Sequence, residues 1–404
     1  MTNKQSRFSI PRAEGVTNTH VALGFGARFY DELAGGIPDV LMPTIQAQLG
    51  LSFTQVAMLR QVLDYVAAMV EPVNGILLDV WPRRWMMGFG AAMIGLSLLT
   101  MGIAPTVTLA FVWFIIAYIF YGMGTGPLAH TGDVVVVEAY PDAPDRAFAR
   151  STLIDTIGAL LAPLSVTLFI WQGLSWQVLL MVVGAGGFVY SVLIIHNGLP
   201  AHLNPTQSET HERERTRLLD TIRTNLRVVI RDQEAIRWLT LLFVFGVLET
   251  PMILKTVWLA QEVGMSQVLI GLYVTAEMGV GIVSLVVLDQ WRQRVSVQRV
   301  LQIVTLSVAL LYPLWLLTPG IWPRIVLMIP LTFAFTMFWP ILKASSLASV
   351  PGKAGSVTAL TSLFGLIPLP LLFGLLADGV GMTMAMLGVH LMATIIIGLL
   401  VFRR

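Results

Sequence analysis

Twelve stretches of about twenty predominantly apolar residues follow one another along the 404-residue chain, each long enough to cross a hydrocarbon layer as a helix. They run over 21–43, 55–78, 85–104, 107–137, 149–170, 175–197, 237–260, 267–288, 298–318, 323–348, 355–377 and 381–402. Inside a bilayer each backbone amide and carbonyl must be satisfied within the protein, which a helix does by itself. The expected fold class is therefore an all-α membrane protein. Composition agrees: 12% of residues are charged and 56% hydrophobic, against about 25% charged in a soluble domain.

The connections give orientation. Alternate loops collect the basic residues: Arg83 and Arg84; Arg146 and Arg150; a central cluster; Arg292, Arg294 and Arg299; Lys353; Arg403 and Arg404. The other loops hold almost none, with Arg324 the exception. By the positive-inside rule both termini are expected in the cytoplasm of a multi-pass inner (plasma) membrane protein. The polar start, MTNKQSRFSIPRAEG, lacks the apolar core of a cleavable signal. A net charge of +2 gives no reason to expect nucleic acid, and the absence of cysteine excludes disulfides, thiolate metal sites and cysteine nucleophiles.

One polar segment interrupts the pattern. It divides the chain into an N-terminal six-helix bundle (1–199), a linker (200–236) and a C-terminal six-helix bundle (237–404). Within the linker, Leu218, Leu219, Ile222, Leu226, Val229 and Ile230 recur at helical spacing among arginines, the pattern of a basic amphipathic helix lying on a membrane surface or of a solvated connection. The halves echo each other. Leu78-Asp79-Val80-Trp81 followed by Arg84 matches Leu288-Asp289-Gln290-Trp291 followed by Arg294. Pro144-Asp145-Arg146-Ala147 with Gly158 and Pro163 is echoed by Pro351-Gly352-Lys353-Ala354 with Gly365 and Pro370. Same-orientation repeats imply two pseudo-symmetric bundles with a substrate site between them.

At these loops the chain resembles the major facilitator superfamily. The family's motif between helices 2 and 3, approximately G-x-L-A-D-R-x-G-R-K, stands here as Gly75-Ile76-Leu77-Leu78-Asp79-Val80-Trp81-Pro82-Arg83-Arg84, with Val80 and Pro82 departing from it. The helix 5 motif of proton-coupled exporters is echoed by Gly158, Ala162 and Pro163, while Val166 and Thr167 replace its trailing glycines. The stretch 49–55, LGLSFTQ, is loosely similar to fosmidomycin-resistance-type exporters. The resemblance implies a conformational latch: Asp79, in the motif that opens at Gly75 and recurs at Asp289, would cap the start of span 11 near Gly355 and Ser356, with Arg83 and Arg84 completing a charge cluster. It also implies that spans 1, 4, 7 and 10 line a cavity.

Charges inside the spans are the candidate working parts, since each costs at least about 2.5–3.5 kcal/mol at mid-bilayer. Span 1 carries Arg28, Asp31, Glu32 and Asp39; span 4 carries Asp133; span 7 carries Glu249 and Lys255; span 10 carries Lys343. Outside these four, span 2 has Arg60, Asp64 and Glu71, span 5 has Asp155 and span 8 has Glu277. Counting about 1.5 Å per residue places Asp31, Glu32, Asp64, Glu249 and Glu277 near the midplane. Carboxylates withdrawn from water take up protons more readily, which is the chemistry of proton coupling. Asp31 and Glu32 are the first candidates, on faces about 100° apart. At salt-bridge spacing, Arg28 is expected to pair with Asp31 or Glu32, and Arg60 with Asp64.

The expected function is secondary active transport of a small polar, charged or zwitterionic molecule by a monomer among membrane lipids, with no cofactor beyond a proton gradient. Proton-coupled efflux leads. Proton-linked uptake of an organic anion held by Lys255, Lys343 or Arg28 is the alternative, followed by a lipid or lysolipid flippase. No metal-spaced histidine cluster, nucleophile elbow or phosphate-binding loop appears, so enzymatic activity is not expected.

Overall fold

A computed structural model describes residues 13–78, 81–142, 144–198, 229, 231–349, 357, 360–361 and 363–403. Among the described residues the regular structure is helical throughout. Ten of the twelve spans are found largely as drawn or with one break: α1 (Asn18–Leu49), α2 (Phe53–Leu78), α3 (Arg83–Ile103), α4 (Ala110–Glu138), α5 (Pro144–Trp171), α6 (Trp176–Asn197), α7a (Gln233–Glu249) with α7b (Lys255–Gln261), α8 (Gln267–Arg292), α9 (Val297–Leu317), and α10a (Ile321–Phe335) with α10b (Phe338–Ala348). Span 11 is represented by a 3-10 turn (Leu363–Leu366) and α11 (Leu369–Val380), and span 12 by α12 (Met382–Phe402). Nine described helical segments are long and apolar enough to cross a membrane. α1 and α2, which carry seven of the charges named above, are not among the nine.

The breaks have local causes. Between α7a and α7b the chain makes a 3-10 turn, Thr250–Leu254, with Pro251 at its start. Between α10a and α10b the helix is interrupted at Thr336 and Met337, four and three residues before Pro340. A proline ring clashes with the carbonyl four residues earlier and offers no amide, and a proline stands at or just after each interruption. α1, by contrast, runs unbroken through Pro38.

Two compact units emerge: residues 1–41 with 65–207, and residues 42–64 with 208–404. In the first, α3 packs on both α4 and α6. Glycine makes this possible, since a Cβ at Gly124 would lie 2.7 Å from the Gly90 carbonyl oxygen, and one at Gly184 would lie 2.9 Å from that of Gly95. In the second, α9 packs on α10a and α12, and α7a on α10b and α12, around Phe245, Phe338, Leu301 and Val304. Outward faces of α6, α9 and α12 present Val189, Leu310 and Leu399, all well exposed, a surface suited to hydrocarbon and not to water. The second unit also holds the end of α1 and the start of α2, where Gln46 accepts a hydrogen bond from Gln261 at 2.8 Å and Thr44 donates to Gln267 at 3.0 Å.

Candidate functional site

Close backbone packing positions the charges of α1. A Cβ on Gly132 of α4 would stand 2.6 Å from the Ala27 Cβ and 3.0 Å from the Gly24 carbonyl oxygen. On the other side, a Cβ on Gly158 of α5 would stand 2.6 Å from the Phe29 carbonyl oxygen, and one on Gly36 would stand 2.6 Å from the Ala162 Cβ. Small residues at these crossings let three helices meet at backbone distance, as they do in membrane bundles generally. The helix 5 residues Gly158 and Ala162 thus act structurally, seating α5 against α1.

Arg28 is consequently claimed by other helices. Its Nε donates to both carboxylate oxygens of Asp133 at 3.0 Å, and its Nη2 donates to Oδ2 as well. Nη1 lies 3.7 Å from Asp155 on α5. The Ser151 hydroxyl donates to Asp133 Oδ1 at 2.9 Å, completing the acceptor's surroundings. This corrects the expected pairing of Arg28 with Asp31 or Glu32: the cation reaches across to α4 and α5. A planar guanidinium matches a carboxylate in just this two-pronged way.

Asp31 is buried and bound differently. Thr125 donates its hydroxyl to Oδ2 at 2.9 Å, and Tyr121 donates to the Asp31 carbonyl at 2.8 Å while lying 3.5 Å from Oδ1. Glu32 is half-buried, with neither a hydrogen-bond partner nor an ion pair among the described residues. Asp39 is exposed. Also on α4, His130 Nε2 lies 3.9 Å from Glu71 of α2, both side chains being nearly half exposed.

The second unit has a matching inventory. Lys255, at the start of α7b, donates to Glu277 of α8, which also accepts from the Thr332 hydroxyl at 3.4 Å. Arg60 and Asp64 lie 3.4 Å apart within α2, as their spacing predicts. Lys343 donates to the Thr361 hydroxyl at 3.1 Å and sits 5.8 Å above the Trp339 ring. Glu249 ends α7a immediately before the 3-10 turn, with its side chain exposed.

The latch residues divide. Asp79, Gly355 and Ser356 lie outside the described residues, as does most of the amphipathic segment predicted over 218–230. Arg83 is buried and forms a two-pronged pair with Glu138 at the end of α4. Arg84 is exposed and lies over the Trp85 ring at 5.6 Å, and Asp289 is exposed on α8. Of the aromatics on spans 1, 4, 7, 8 and 10, Tyr30, Tyr121, Trp258, Tyr273 and Phe338 are buried, whereas Trp339 is half exposed. Sequence reasoning passed over Thr125 and Ser151, whose only signal is their position one turn from Tyr121 and from Asp155.

The sequence model of the Major Facilitator Superfamily matches residues 25–372. The chain belongs to that superfamily. No curated protein sequence matches it. Its fold is similar to that of a mutant of the nucleoside transporter NupG, with a TM-score of 0.76 at 14% identity over 96% of this chain and 100% of that one. A bacterial homologue of the human lysosomal transporter Spinster, in an inward-facing and occupied conformation, follows at TM-score 0.75 and 12% identity over 95% of each chain. A POT family transporter in complex with a thioalcohol-conjugated peptide gives 0.70 at 14% identity, over 93% of this chain and 94% of that one. The chain is thus a multi-pass membrane protein with the twelve-helix major facilitator fold.

Proposed function

We propose that this protein is a proton-coupled secondary transporter that exports a small polar, charged or zwitterionic organic molecule by alternating access, and that it is not an enzyme. One observation supports the reading above the others. Among the described residues of the first unit, Arg28 is the single cation paired with Asp133 and Asp155, while Asp31 and Glu32 sit on the same helix without a cation of their own. Acids in excess of bases inside a membrane bundle are expensive unless protons neutralise them part of the time. Such a cluster is built to load and release protons. Substrate cations or zwitterions would compete for the same carboxylates, which couples the two occupancies.

Uptake of an organic anion is less well supported. Two of the three cations it would use, Arg28 and Lys255, already donate to carboxylates. The nucleoside, peptide and Spinster-type neighbours share the fold at 12–14% identity, which is too distant to pass on a substrate. A thermal-shift screen of the purified protein over cationic drugs, organic acids and lysolipids tests the substrate class. Stabilisation by cationic or zwitterionic compounds is expected; stabilisation by organic acids alone, or by lysolipids alone, would overturn the export reading in favour of organic-anion uptake or lipid transport.

A further inference from the structure

The four amides that open α2 are all accounted for, and two of them are satisfied from a distant helix. Val56 N–H donates to the Ser52 carbonyl at 3.1 Å and Gln55 N–H to the Ser52 hydroxyl at 3.2 Å. Ser52 N–H in turn donates to the Gln55 side chain at 2.9 Å, which completes a capping box. The remaining two, Phe53 and Thr54, donate to Asp378 of α11, at 3.0 Å to Oδ1 and 2.9 Å to Oδ2. A carboxylate set across two free amides also faces the positive end of the helix dipole.

The contact is made at backbone range. Gly374, one turn before Asp378, could not carry a Cβ: the atom would lie 2.6 Å from the Ala57 Cβ and 2.9 Å from both the Phe53 carbonyl oxygen and the Thr54 Cα. The pentad that makes the contact, Gly374-Leu375-Leu376-Ala377-Asp378, has the form G-x-L-x-D. The same form occurs at the other end of α2 as Gly75-Ile76-Leu77-Leu78-Asp79. It falls outside the half-chain repeat, which relates span 2 to span 8 and not to span 11. The loosely exporter-like stretch 49–55 thereby acquires a purpose, since it supplies the capping box and the two amides.

We propose that Asp378 is a latch, holding the end of α11 to the start of α2 in the state described here and releasing when those two helix ends part. Gly374 is the small residue that lets the latch seat. A carboxylate on backbone amides suits this use: it binds through charge and dipole, with the Thr54 and Ser52 side chains also donating to it, and is replaced by water when the helices separate.

The chain contains no cysteine, so a spin-label pair placed at Met58→Cys and Val380→Cys, both exposed, is the only labelled pair. Distance distributions are recorded for the parent pair, for Asp378→Asn, for Thr54→Pro, and for both together. Proline is tolerated in the first turn of a helix and removes the Thr54 donor without touching Asp378. Each single substitution is expected to move at least twofold more of the population to longer distances, and the double variant is expected to match the singles. An unchanged distribution in Asp378→Asn overturns the latch, as do additive shifts in the double variant. If Asp378→Asn fails to fold, Thr54→Pro alone decides: an unchanged distribution there overturns the proposal. The measurement needs neither substrate nor proton gradient, so its failure leaves the proposed transport function standing, and the reverse also holds.

Discussion

At the scale of single residues, the molecule is organised by Arg28. Its side chain is 22% exposed, and that of Asp133 is 12% exposed. Breaking one partner of such a pair strands the other, at a cost of about 3–5 kcal/mol in buried cases. Arg28→Gln is therefore expected to lower the melting temperature in detergent markedly, and adding Asp133→Asn is expected to restore part of the loss. An Arg28→Gln protein that melts with the wild type would show that the pair holds nothing. Sequence spacing misassigned this residue for a physical reason. Neighbours three and four positions away on one helix are always within reach, whereas the approach of α4 depends on Gly24 and Gly132, two small residues whose meaning appears only in three dimensions. Arg60 and Asp64 kept the local pairing that their spacing suggested.

At the scale of elements, glycines decide which helices touch. Gly158→Ala would drive a methyl group into the Phe29 carbonyl, so α5 must move off α1. Overpacking of this kind costs about 1–3 kcal/mol, and both melting temperature and any substrate-dependent stabilisation should fall. Gly186→Ala on α6 is the control: nothing lies within 4 Å of its Cβ, and alanine gains about 0.5–1 kcal/mol over glycine in a helix. Equal melting of the two variants would contradict the packing account. Most spans were legible in the sequence because hydrocarbon enforces a minimum apolar length. The interruption of span 7 is marked by Pro251, and that of span 10 by Pro340, although the exact break at Thr336 and Met337 had no signature of its own. The assignment of residues 42–64 to the second unit was not legible, because it rests on contacts such as Gln46 to Gln261 and Phe53 to Asp378 that join distant parts of the chain.

At the scale of the whole molecule, the superfamily and its fold could be read from span count, loop charge and the motif at 75–84, and the structure and the family match agree with that reading. The charge inventory was legible residue by residue; its connections were not, since Thr125, Ser151 and Asp155 join the cluster only through tertiary packing. The acids of α1 are proposed to couple transport to protons. A compound taken from the thermal-shift screen, followed in proteoliposomes under an imposed pH gradient, tests it directly. Gradient-driven flux is expected in the wild type and is expected to fall at least tenfold in Asp31→Asn or Glu32→Gln, with exchange of the compound at equal pH retained. Gradient dependence that is unchanged in both of these variants and in Glu249→Gln would contradict the claim.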